Sequence, residues 1–110
     1  MAEFFMIRKV VEAQSRSGET ALLVTMMDGG LGAPHVAVVD PKRGQVWRQQ
    51  MARFVGVRNG NIAVALYDPD EIQLQENPRP RKLVYYSLDD LLSRNACPCW
   101  PVGVPLEVFE

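Results

Sequence analysis

The stretch RFVGVRNGNIAVALYD, residues 53–68, decides how the chain is read. Asn59-Gly60 tolerates the positive φ angles of a tight two-residue turn, and runs with strand-like alternation lie on both sides of it, so the stretch is a β-hairpin. Opposed residues share a face of a sheet. The expected register therefore sets Arg58 against Asn61, Val57 against Ile62, Gly56 against Ala63, Val55 against Val64 and Phe54 against Ala65. One face is then Val55, Val57, Ile62, Val64 and Leu66, and the other is Phe54, Gly56, Ala63, Ala65 and Tyr67. Both faces are apolar, which predicts a central hairpin covered on each side.

Upstream of the hairpin, residues 3–13 and 19–27 are β-leaning runs separated by Ser15-Arg16-Ser17-Gly18, a turn composition. The glycines at 29, 30 and 32 make 28–34 a loop. HVAVVD, residues 35–40, reads as a strand, and Pro41-Lys42-Arg43-Gly44 as the turn after it. Residues 45–54 are ambiguous. Val46, Trp47, Gln50, Met51 and Phe54 fall on one face of a helix, but the preceding hairpin turn favours a strand with a bend near Ala52.

Downstream, residues 68–81 carry four carboxylates and three prolines and read as an exposed connection. KLVYY, residues 82–86, is a strand. Ser87 then caps a short helix, LDDLLSR, with Asp89 and Asp90 at its positive end, Arg94 at the other, and Leu88, Leu91 and Leu92 as anchors. Prolines at 98, 101 and 105 exclude helix from the remainder until a last strand over 106–109. The expected fold is mainly β: one domain spanning 1–110, an antiparallel rolled sheet or small half-open barrel of about seven or eight strands with one short helix near the C-terminus. Too few helical segments exist for parallel crossovers.

The totals narrow function only by exclusion. A chain of 110 residues with a hydrophobic fraction of 47% and a charged fraction of 23% suits one globular domain. A formal net charge of -1 gives no global attraction to nucleic acid or anionic lipid. The early apolar cluster precedes Arg8-Lys9, the reverse of a signal peptide's order, and no apolar run nears the roughly 18 residues of a membrane span, so the cytoplasm is the expected compartment. Cys97 and Cys99, with one histidine, fall short of a four-ligand zinc site, and the loop glycines lack a phosphate-binding spacing and a following helix. No metal or cofactor is expected. His35 has no fixed nucleophile beside it, and a catalytic role is not assigned.

Ala65-Leu66-Tyr67-Asp68, followed by Asp70-Glu71-Ile72, resembles the ALYD motif and acidic loop of SH3 domains over eight residues. The paired tryptophans of that family are absent downstream, and residues 82–94 read as strand and helix where strands belong. The match is treated as coincidence.

Three binding readings remain, and a binding module rather than an enzyme is expected. Foremost is protein binding or self-association, with Trp100, Val102 and Phe109 in an extended proline-rich tail as contact residues. Another is a small-molecule site in which Gly56, Ala63 and Ala65 leave room between Trp47, Phe54 and Tyr67. Single-stranded nucleic acid ranks last. It would use Lys42, Arg43, Arg48, Arg53 and Arg58, a run of positive charge without an intervening carboxylate, but simple alternation puts Arg53 and Arg58 on opposite faces.

Overall fold

The computed structural model describes residues 5–28, 33–68 and 79–96. Strands β1 (Phe5–Gln14), β2 (Thr20–Asp28), β3 (Pro34–Asp40) and β4 (Gly44–Gln50) form an antiparallel meander of four. Strands β5 (Ala52–Arg58), β6 (Asn61–Leu66) and β7 (Lys82–Ser87) form a second sheet of three, and helix α1 (Leu88–Leu92) follows directly. The mainly antiparallel β architecture with one late helix is as expected. Among the described residues the strands make two sheets and no closed barrel. The expected strand at 106–109, the loop glycines, most of the acidic connection and both cysteines lie outside the described residues.

The ambiguity over 45–54 resolves as two strands broken at one residue. Met51 has φ 54°, in the left-handed region, and it sends the chain out of the first sheet and into the second. Its carbonyl accepts from the Tyr67 amide at 2.9 Å, which ties the start of β5 to the end of β6.

The main core fills the space between the sheets. Leu23, Val36, Val38, Val46 and Trp47 from the first sheet meet Ala52, Ile62 and Val64 from the second, with Leu88, Leu91 and Leu92 of α1 in the same cluster. A separate cluster of Leu22, Val24, Met26, Ala37 and Val39 lies on the other face of the four-stranded sheet. The consecutive run Leu22-Leu23-Val24 is thus buried on both faces.

The hairpin turn forms as expected: Asn59 and Gly60 both have positive φ, 52° and 77°, and Arg58 pairs with Asn61. The register holds from there to Gly56 opposite Ala63 and then shifts by one. A bulge at Val55 sets Phe54 against Val64, Arg53 against Ala65 and Ala52 against Leu66. Val55 therefore drops out of the buried face, and Phe54 packs with the core instead of sharing a face with Gly56. The inward face becomes Ala52, Phe54, Ile62, Val64 and Leu66, while Val57, opposite Ile62 near the hairpin tip, is left 44% exposed. The outward face carries Arg53, Gly56, Arg58, Ala63 and Ala65, continued on β7 by Leu83 and Tyr85. Cover on both sides, the sequence expectation, is not met among the described residues: α1 packs on the inward face, while Val55 and Tyr85 stay exposed on the outward one.

Helix α1 is tied down at both ends. The Ser87 hydroxyl accepts from the Asp90 amide at 3.4 Å, the cap that the sequence predicts. The Leu88 amide donates to the Gly60 carbonyl at 2.9 Å, joining the helix to the tip of the β5–β6 hairpin. At the other end, the cation expected from Arg94 comes from the β3–β4 turn instead. Arg43 donates to the carbonyls of Leu92 and Arg94 while its Nε holds Asp40 at 2.8 Å. Arg94 lies beyond the helix and pairs with Asp90 at 3.5 Å.

Asp89 fixes the β1–β2 turn to the helix: its Oδ1 accepts from the Ser17 hydroxyl at 2.5 Å and its Oδ2 from the Ser17 amide at 3.2 Å. Hydrogen bonds from Ser17 and then Ser15 hold its pKa below the ordinary 3.8. A carboxyl depressed on folding contributes stability above its unfolded pKa and loses it as the pH falls through the folded value. Asp89→Asn is accordingly expected to lower Tm at pH 7. The gap to wild type should shrink as the pH falls below about 3.8, where wild-type Asp89 is itself neutralised. Thermal melts from pH 7 to pH 2 check this, and a gap independent of pH would contradict it.

Candidate functional site

The candidate site is the outward face of the β5–β6–β7 sheet. Three large apolar side chains stand out from it: Val55 is 61% exposed, Leu83 47% and Tyr85 69%. Exposed apolar residues are ordinary singly but informative when contiguous. Val55 is the bulged residue on β5, and the other two stand two strands away on β7. Tyr85 is opposite Ala63, which is opposite Gly56, and Leu83 is opposite Ala65.

Small residues form the floor between the large ones. A Cβ built on Gly56 would meet no atom within 4 Å, so the space above the glycine is open. Val55, Gly56, Val57, Arg58, Ala63 and Tyr85 border a shallow depression of about 350 Å³. The room inferred beside Gly56 and Ala63 is present, but as a surface feature and not as an interior pocket.

The charge on the three strands of this face has one sign. Strands β5, β6 and β7 contain no carboxylate, while Arg53 and Arg58 lie on the outward face and the exposed Arg79, Arg81 and Lys82 lead into β7. No ion pair engages Arg53, Arg58, Arg81 or Lys82 among the described residues. Arg53 lies over the Tyr67 ring, 5.5 Å from its centroid, which orients the guanidinium without neutralising it.

The other sequence candidates disperse. Trp47 is buried between the sheets with its ring 5.0 Å from that of Tyr86, and Phe54 faces the same core, so the set Trp47, Phe54, Gly56, Ala63, Ala65 and Tyr67 does not line one site. Lys42 and Arg43 sit at the β3–β4 turn. Arg48 is opposite Ala37, on the face of the first sheet that carries the second cluster. Arg53 and Arg58 share the outward face of β5, and the Val55 bulge puts them there. Trp100, Val102 and Phe109 lie outside the described residues.

Val55, Leu83 and Tyr85 were not singled out from the sequence. KLVYY alternates two apolar pairs, Leu83 with Tyr85 and Val84 with Tyr86, and nothing local says which pair points inward. A larger cleft of about 900 Å³ lies by the β1–β2 and β3–β4 turns and α1. Its main polar groups already hold each other, Asp89 with Ser17 and Asp40 with Arg43, which makes it a structural junction. Burial raises the Asp40 pKa, but the Lys42 amide and the Arg43 side chain outweigh this and hold it below the ordinary value. Among the described residues, no group of three or more His, Cys, Asp or Glu could hold a metal ion, and no helix is long and apolar enough to cross a membrane. No protein-family model, no curated protein and no solved structure matches the chain.

Proposed function

We propose that the protein is a non-enzymatic binding module that docks another protein on the outward face of β5–β7, and that it works in the cytosol. The observation that carries the reading is the exposure of Val55, Leu83 and Tyr85 on one sheet, with Val55 and Tyr85 bordering the Gly56–Ala63 floor. Burying such side chains against a partner releases about 1.5–3 kcal/mol each before the costs of association. Tyrosine and arginine are the residue types that concentrate binding energy at protein interfaces, and a polar rim around an apolar centre is the usual anatomy. A small-molecule site is less well supported, because such sites enclose most of their ligand and this depression is shallow and open.

Selection of a random twelve-residue peptide library on the immobilised protein tests the reading. Enriched peptides are expected to bind wild type and to lose at least tenfold in affinity with the Leu83→Ser/Tyr85→Ser double variant. Both positions are exposed, so Tm should change little. Peptides indifferent to the double substitution, or no enrichment, would contradict it.

A further inference from the structure

Resting on that reading, we infer that the partner segment is acidic and carries a large apolar side chain that seats over Gly56 and Ala63 while flanking carboxylates pair with Arg53 and Arg58. The charge pattern selects this occupant. The outward face has two arginines, no carboxylate on any of its three strands, and Arg79, Arg81 and Lys82 at its border. Among the described residues these side chains take part in no ion pair, so an incoming carboxylate gains attraction without breaking one.

A second copy of the chain fits less well. Pairing two of these faces about a two-fold axis is isologous, so it would set Arg53 and Arg58 against the same basic surface. Nucleic acid shares the electrostatics, but of the three exposed side chains only Tyr85 can stack on a base, and Val55 and Leu83 cannot. Addition of a strand to the β5 edge is opposed by the Val55 bulge, which interrupts the ladder in the middle of that strand. These observations favour a peptide lying on the face, with apolar contact at the centre and charge at the rim.

Gly56 provides a variant that blocks the seat without disturbing the fold. Its φ is not in the left-handed region and a Cβ there meets nothing within 4 Å, so Gly56→Leu fills the depression and should fold as wild type does.

The experiment sequences the peptides enriched from the random library and measures the best of them by fluorescence anisotropy. The expected result is an excess of Asp and Glu flanking Leu, Phe or Trp. Affinity should fall at least tenfold when the peptide's carboxylates become amides, with Arg53→Glu/Arg58→Glu, and with Gly56→Leu, and it should weaken between 50 and 500 mM NaCl. Peptides that need Leu83 and Tyr85 but show neither acidic excess nor salt dependence would overturn this inference and leave the docking face standing. Absence of enrichment would remove both. Oligothymidylate that binds more tightly than every peptide and is lost with the same arginine variants would overturn it in favour of nucleic acid. Light scattering that shows a dimer abolished by Leu83→Ser/Tyr85→Ser would overturn it in favour of a second copy.

Discussion

Trp47→Ala is expected to destabilise the protein by about 3–5 kcal/mol, read as a lower urea midpoint at an unchanged slope. The indole is one of the largest side chains in the core and lies where the two sheets face each other. Its removal leaves a cavity that neither sheet can close alone, because each is held by its own ladder. The ring also meets Tyr86 at a 51° tilt with centroids 5.0 Å apart, a geometry that adds about 0.5–1.5 kcal/mol beyond burial. Tyr85→Ala removes a ring of similar size one residue away from Tyr86, yet its side chain is 69% exposed, and the change should stay within about 0.5 kcal/mol. The pair of variants separates the inward and outward faces of β7. A Trp47→Ala protein as stable as wild type would place the tryptophan outside the core and return it to the candidate ligand site.

Gly60→Ala is expected to cost about 3 kcal/mol, for two reasons that add. The φ of 77° is in a region where an L-residue loses about 1–2 kcal/mol. The new Cβ would also fall 2.6 Å from the Arg16 backbone nitrogen and 2.5 Å from Arg16 Cγ. The side-chain atom can move aside, but the backbone nitrogen belongs to a turn pinned by Ser15 and by Asp89. Gly18→Ala is the control. Its φ is 91°, but a Cβ there meets nothing within 4 Å, so only the conformational part, about 1 kcal/mol, should appear. Equal losses at the two glycines would show that the approach of the hairpin tip to the β1–β2 turn carries no energetic weight. Urea titration of both variants decides it.

Local signals in the sequence were sufficient wherever the chemistry of an element is local. Asn59-Gly60 names its turn because few residues accept two successive positive φ values, and Ser87 names its helix start because its hydroxyl is next to free amides. Pro41 to Gly44 marked the β3–β4 turn in the same way. The faces of the central hairpin were legible only as far as Gly56. In Phe54-Val55-Gly56-Val57 every residue suits a strand, so an extra one can be inserted without breaking the apolar pattern, and the bulge that exchanges Phe54 for Val55 leaves no mark. The alternation argument that separated Arg53 from Arg58 failed at the same residue.

Long-range placement was not legible for a related reason. Trp47, Phe54 and Tyr67 look alike as aromatics near small residues, and only the turn at Met51 decides that the first two face the inter-sheet core. A methionine at positive φ has no sequence signature, because the conformation is imposed by the packing of two sheets and not by the residue. The same holds for Arg43. Its place in a turn was legible, but its contact with the carbonyls at the end of α1 depends on a helix nearly fifty residues later in the chain.

The functional account rests on which face of β5–β7 is presented to a partner. Chemical-shift mapping of the isotope-labelled protein on addition of a library-selected peptide tests this most directly, because it reports the footprint residue by residue. The predicted footprint covers Val55, Gly56, Ala63, Leu83 and Tyr85, with the Arg53 and Arg58 side-chain signals moving as well, and leaves Ser17, Lys42 and Arg43 unchanged. Shifts gathered on the cleft of Ser17, Lys42, Asp89 and Arg43, or on the four-stranded sheet, would contradict it.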